Sequence, residues 1–223
     1  MPDAVLLEWE GVLADTRTRR RAALRRALSA EGVAPDAADD DALDDQGVRD
    51  ATAAALHSCG LYDETLADLI ARRAEQGFAD GLAQGIVLAG GASAFMARLQ
   101  LGSRVAVVTR AGHEETSLFL RLSGLDGAVS TISTADRAGG EGRHRRALAQ
   151  LRAVRPVDAQ RTVSLQSRAE GIACARAAGC RVVAIGTSAD VAMDADATAS
   201  SVEGMTIARL RALAGLAAVG GTR

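Results

Sequence analysis

The sequence predicts an α/β protein: a doubly wound parallel sheet with a helical segment inserted after its first strand. Three observations carry that prediction. Short β-branched runs recur along the chain: AVLLEW (residues 4–9), RVAVVT (104–109), AVSTIS (128–133), RTVSLQ (161–166) and RVVAIG (181–186). Most are continuously apolar rather than alternating, as expected of strands covered by helices on both faces. Helical patterns separate the later runs, and the 223 residues are nearly half apolar with very few aromatics, a composition suited to closely packed, alanine-rich helices.

The first strand runs directly into EGVLADT, carrying Glu8, Trp9 and Glu10 at its end. Roughly ninety residues then separate it from the second strand, far more than one crossover helix needs. They begin with TRTRRRAALRRALSAEGV, a helix expected to turn Ala23, Leu24, Ala27 and Leu28 inward and its arginines to solvent. The acidic stretch from Asp36 to Asp45 lacks the ligand spacing of a calcium-binding loop and is expected to be a flexible connection. RDATAAALHSCG and DETLADLIARRAEQGFADGLA supply further helices, and GIVLAGGASAFMARLQLGS returns the chain to the sheet. The expected division is a core of residues 1–14 and 86–223 with a helical cap of residues 15–85. Beyond the cap, EETSLFLRLSGL, RHRRALAQLRAV and AEGIACARAAGC follow the second, third and fourth strands, and right-handed crossovers then wind the sheet in both directions.

The formal net charge of −2 gives the whole molecule no electrostatic reason to bind nucleic acid or an anionic membrane. All 26 basic residues are arginine, which excludes any chemistry that needs a lysine. Cys59, Cys174 and Cys180 match no metal knuckle and no disulfide framework, so a reducing cytoplasm is expected. No apolar run long enough to span a bilayer and no basic-then-apolar leader is expected to direct the chain to a membrane. His57, His113 and His144 show no pairing that suggests a metal site or a nucleophile triad; His113 alone falls close to the end of the second strand.

In open α/β sheets, ligands gather beyond the carboxyl ends of the strands where the winding reverses. Glu8, Glu10, Thr109 and LQSRAEG are expected there. AVLLEWEGVLADT, VAVVTRAGHEET and RTVSLQSRAEGIACARAAGCRVVAIG resemble the first, second and fourth motifs of the haloacid dehalogenase superfamily. The resemblance points to its phosphoglycolate phosphatase and β-phosphoglucomutase-like branch, which joins a Rossmann-like core to a helical cap. It implies phosphoryl transfer: a strand-end aspartate attacks phosphorus, a second aspartate two residues on handles protons, and Mg²⁺ screens the charge. A hydroxyl and a lysine hold the phosphoryl oxygens, and acidic residues after the fourth strand complete the metal site.

Carried over by position, the attacking residue becomes Glu8 and the acid/base Glu10. The added methylene moves each carboxylate by about 1 Å, and a displacement of that size costs about a hundredfold in rate. Gln166 and Ser167 stand where an acidic pair is expected, and Glu170 falls one position out of register, so Mg²⁺ is left with Glu8, Glu10 and Ser167 as weak ligands. The lysine position falls to an arginine among Arg143, Arg145 and Arg146. Thr109, Arg110 and Arg143, with the helix opened by RAGHEE, are the expected phosphate contacts, and Asp15 matches the family pattern. Trp9 is expected to take up part of the cleft. The expected function is a phosphatase or phosphomutase relative that is weak or inactive as a phosphohydrolase while keeping an anion pocket for a phosphorylated small molecule. The alternatives are an active Mg²⁺-dependent phosphomonoester phosphatase using Glu8 and Glu10, and a protein-interaction module with an occluded pocket.

Overall fold

The computed structural model describes residues 1–34, 48–82, 85–138 and 142–216. The acidic stretch from Asp36 to Asp45 lies outside them. In chain order the elements are β1 (Ala4–Glu8), α1 (Arg17–Ala30), α2 (Val48–Ser58), α3 (Glu64–Leu82), α4 (Ala92–Gln100), β2 (Arg104–Thr109), α5 (His113–Leu122), β3 (Thr131–Thr134), the single turn α6 (Ala135–Ala138), α7 (Arg143–Arg152), β4 (Thr162–Gln166), α8 (Ala169–Ala177), β5 (Arg181–Ile185), β6 (Ala197–Ala199) and α9 (Ile207–Leu213). They divide between two compact units, residues 1–15 with 87–223, and residues 16–86.

The larger unit is built on a six-stranded sheet of order β3-β2-β1-β4-β5-β6. All five strand pairings are parallel. β1 and β4 are buried along their length, apolar or small as far as Glu8 and Gln166 at their ends, which fits a sheet covered on both faces. On one face Leu6, Ala106, Val108, Val182 and Ala184 pack with Ala147, Leu148 and Leu151 of α7 and Ile172 and Ala175 of α8. After β1 the chain turns at Gly11, whose φ of 83° is a left-handed conformation that a side chain would disfavour. The exit from the sheet and the return to it lie side by side: Ala14 bridges Leu88, and the Ala89 N–H donates to the Leu13 carbonyl at 2.8 Å.

The smaller unit packs α1 against α3 and α2 through Leu24, Leu28, Ala51, Leu56, Ile70 and Ala74. Ala23, Leu24, Ala27 and Leu28 form the buried face, as the helical spacing predicts. The arginines of α1 are not all left to solvent, however. The Arg19 guanidinium donates to the Gly81 carbonyl at 3.1 Å and also to that of Gly85, and the Arg20 guanidinium lies 4.0 Å over the Phe78 ring. Those carbonyls close the far end of α3, where a cation complements the helix dipole.

Two strand readings differ from the structure. Ala128, the first residue of AVSTIS, closes a 3-10 turn that spans Asp126–Ala128, and β3 starts only at Thr131. β6 was not visible as a strand because its three residues, ATA, form only an edge pairing with β5. The cysteines are free, and burial pushes the Cys180 thiol up to about 12, which keeps it an inert thiol. Among the described residues no helix is long and apolar enough to cross a membrane.

Candidate functional site

The strand order places the winding reversal between β1 and β4, so the crevice there is lined by whatever follows Leu7 and Leu165. Side chains alternate along the strand end. Trp9, expected in the cleft, is instead fully buried and stacks on Phe119 of α5 with ring centroids 5.6 Å apart. Its neighbours Glu8 and Glu10 both reach the residues that follow β4.

Glu8 is buried, and its Oε2 accepts two hydrogen bonds from one residue, the Ser167 N–H at 2.6 Å and the Ser167 hydroxyl at 2.9 Å. The hydroxyl also lies 3.1 Å from the Glu10 carbonyl, but its single proton serves one acceptor at a time. The Arg168 guanidinium closes the group, with Nε 3.6 Å from Glu8 Oε1 and Nη2 3.1 Å from Glu10 Oε2. The Arg168, Glu8 and Glu10 side chains are 14%, 11% and 16% exposed, so these charges meet largely out of water. Burial holds the Glu8 carboxyl above its ordinary value; the Ser167 hydrogen bonds and Arg168 pull the other way without prevailing.

Arg168 holds this place through local geometry. It is the N-cap of α8, with extended backbone at φ −131° and ψ 148°, so the chain has left the sheet but has not yet entered the helix. Gln166, in the neighbouring family position, turns inward: it is buried, and its amide Nε2 donates to Ser164 Oγ at 2.9 Å. A Cβ on Gly171 would meet Gln166 Oε1, so a side chain in place of the glycine of SRAEGI would require that buried amide to shift.

On the other side of β1, Thr109 ends β2 beside Thr134 at the end of β3. Its Oγ1 accepts from the Ala111 N–H at 3.1 Å, an arrangement that leaves its own O–H to donate. Arg110 is partly buried. α5 starts at Gly112 with no side-chain cap, but Glu114 and Glu115 lie in its first turn and compete with any anion there. Arg143, expected on phosphate, pairs with Glu170, Nη2 to Oε1 at 2.5 Å. Ser133 Oγ donates to the Arg143 carbonyl at 2.8 Å, tying β3 to the start of α7. His144, next in the chain, is 2% exposed.

The Mg²⁺ implied by the resemblance does not fit this donor set. Glu8, Glu10 and Ser167 do converge, but the oxygens an ion would need are already engaged by Ser167 and by a permanently charged guanidinium. Hard Mg²⁺ gives up its waters only to anionic oxygens in near-octahedral array. Among the described residues no group of three or more His, Cys, Asp or Glu could hold a metal.

Solved structures share this architecture from end to end. CbbY from Rhodobacter sphaeroides, in complex with phosphate, superposes with a TM-score of 0.75 at 25% identity, over 94% of this chain and 99% of that one. β-Phosphoglucomutase from Clostridium difficile gives 0.76 at 14% identity, over 96% and 98%. A HAD family hydrolase from Deinococcus radiodurans R1, with bound phosphate and sodium, gives 0.71 at 22% identity, over 96% of each chain. The chain has the haloacid dehalogenase fold. No family model and no curated protein matches it by sequence. In this structure Glu8 ends β1, Thr109 ends β2, and Glu10 lies two residues beyond β1. Arg168 is the site residue the motif comparison missed. The signal was there: two glutamates one residue apart, with neutral Gln166 and Ser167 where an acidic pair is expected, call for a cation nearby, and SRAEG supplies one.

Proposed function

We propose that this chain is a haloacid dehalogenase-fold protein that binds a small phosphorylated ligand without hydrolysing it. The observation that carries this reading is the state of Glu8. A carboxylate that attacks phosphorus needs an unengaged oxygen lone pair aimed at the ligand. Glu8 is buried, holds its proton more tightly than an ordinary glutamate, and has one oxygen doubly hydrogen-bonded to Ser167 and the other facing Arg168. The ligand class is supported by Thr109, whose hydroxyl stands at a strand end of this fold with a proton to donate, and by two structural neighbours that hold phosphate.

The test is a panel of phosphomonoesters incubated with the purified chain and Mg²⁺, alongside thermal melts with inorganic phosphate. No phosphate release is expected, while phosphate raises the Tm through linkage, and Thr109→Val reduces that rise. Mg²⁺-dependent release that disappears in Glu8→Ala would establish the hydrolase instead.

A further inference from the structure

We infer that Arg168 is a built-in cation that takes the place of a divalent metal at this site, so that the site works without one. This extends the phosphate-binding reading by making it independent of metal, but it rests on different atoms. Glu8 and Glu10 lie on one strand end, and their carboxylates come close enough to share one guanidinium, at 3.6 and 3.1 Å. Two carboxylates so placed and so little exposed resist ionising, and a positive charge between them is what favours their charged form. Elsewhere that charge could be a bound ion. Here it is covalently part of the chain, held at the N-cap of α8 by the same Ser167 whose N–H and O–H bind Glu8. Arginine suits the task better than any other residue, since it stays charged at all working pH values and its forked donors can serve two carboxylates at once.

The geometry also explains why cation and ion exclude each other. A divalent ion on Glu8 Oε1 and Glu10 Oε2 would have to share both oxygens with the guanidinium, and the repulsion in a largely buried setting would be strong. Removing the positive charge should therefore open the carboxylate pair to an ion.

The experiment is a Mn²⁺ titration of the full chain followed by electron paramagnetic resonance, with parallel thermal melts in Mn²⁺ and in Mg²⁺. The wild-type chain is expected to leave Mn²⁺ free and its Tm unmoved. Arg168→Ala and Arg168→Gln are expected to bind Mn²⁺ at least roughly a hundredfold more tightly, and to gain Tm from either ion. Arg168→Lys, which keeps the charge, is expected to stay blind to metal. A variant that folds only when the ion is present supports the inference as strongly. Tight Mn²⁺ binding by the wild-type chain overturns it, and so do charge-removed variants that ignore the ion or that remain unfolded with and without it. Phosphate has no part in these measurements: if phosphate fails to shift the Tm while the Mn²⁺ results hold, the ligand proposal falls alone, and the reverse result removes only the built-in cation.

Discussion

The two sides of the carboxyl-end crevice treat their buried polar groups in opposite ways. On the β1–β4 side, Glu8 and Glu10 meet Ser167 and Arg168, and the group is complete within the chain. On the β2–β3–α7 side, Thr134 Oγ1 and both ring nitrogens of His144 are buried with no hydrogen-bond partner among the described residues. An unmet buried polar atom costs about 1–3 kcal/mol. The first group is therefore satisfied within the chain, while the second keeps polar atoms enclosed and unmet, at that cost to stability.

The sharpest test of the β1–β4 side is Arg168→Met, which keeps bulk and length and removes the charge. Breaking a buried ion pair by deleting one partner leaves the other charge stranded, and the expected loss is about 3–5 kcal/mol of stability by chemical denaturation. A loss below about 1 kcal/mol would mean that the guanidinium is a bystander at the Glu8–Glu10 pair.

The β2–β3–α7 side has its own test in pH. Burial first, and then Arg143, lower the His144 imidazole from 6.5 to about 4, with Glu170 opposing. Because the folded value is the lower one, the unfolded chain takes up a proton between those limits and the folded chain does not. Stability is therefore lost as pH falls from 6.5 towards 4, by about 3.5 kcal/mol at roughly 1.4 kcal/mol per pH unit. His144→Leu keeps the apolar face of α7 and removes this step. The gap between variant and wild type should widen over that interval and level off below it; parallel curves would place His144 in contact with water.

Much of the fold was legible because each strand is a short apolar run with clear punctuation, and RVAVVT matches β2 residue for residue. β6 was not, since three small residues at a sheet edge carry no periodicity of their own. At the candidate site, motif comparison pointed to Glu8, Glu10 and Thr109 but looked after β4 only for anions, and so passed over Arg168, which the structure places against both glutamates. The Arg143–Glu170 pair was equally hidden, because residues 27 positions apart meet only through tertiary packing. His144 left a readable trace. It shares helical spacing with Ala147, Leu148 and Leu151, the buried face of α7, but the sequence reading looked for pairing among histidines and passed over that periodicity.

The smallest effect is expected from the other arginine of the site, and it sharpens the contrast between the two. Arg143 and Glu170 stand as close as any pair here, at 2.5 Å, yet the Glu170 side chain is 51% exposed where the Arg168 partners are 11% and 16% exposed. Water already solvates Glu170, so little is gained by bringing a cation to it and little is stranded when the cation goes. Arg143→Ala should cost less than about 1 kcal/mol, and salt should shrink even that, because exposed charges are screened over roughly 8–10 Å at physiological ionic strength. The loss in Arg168→Met should hardly change with salt. Denaturation of both variants across a salt series separates the two, and equal salt sensitivity would mean that the burial of their carboxylate partners does not distinguish these arginines, whose own side chains are 16% and 14% exposed.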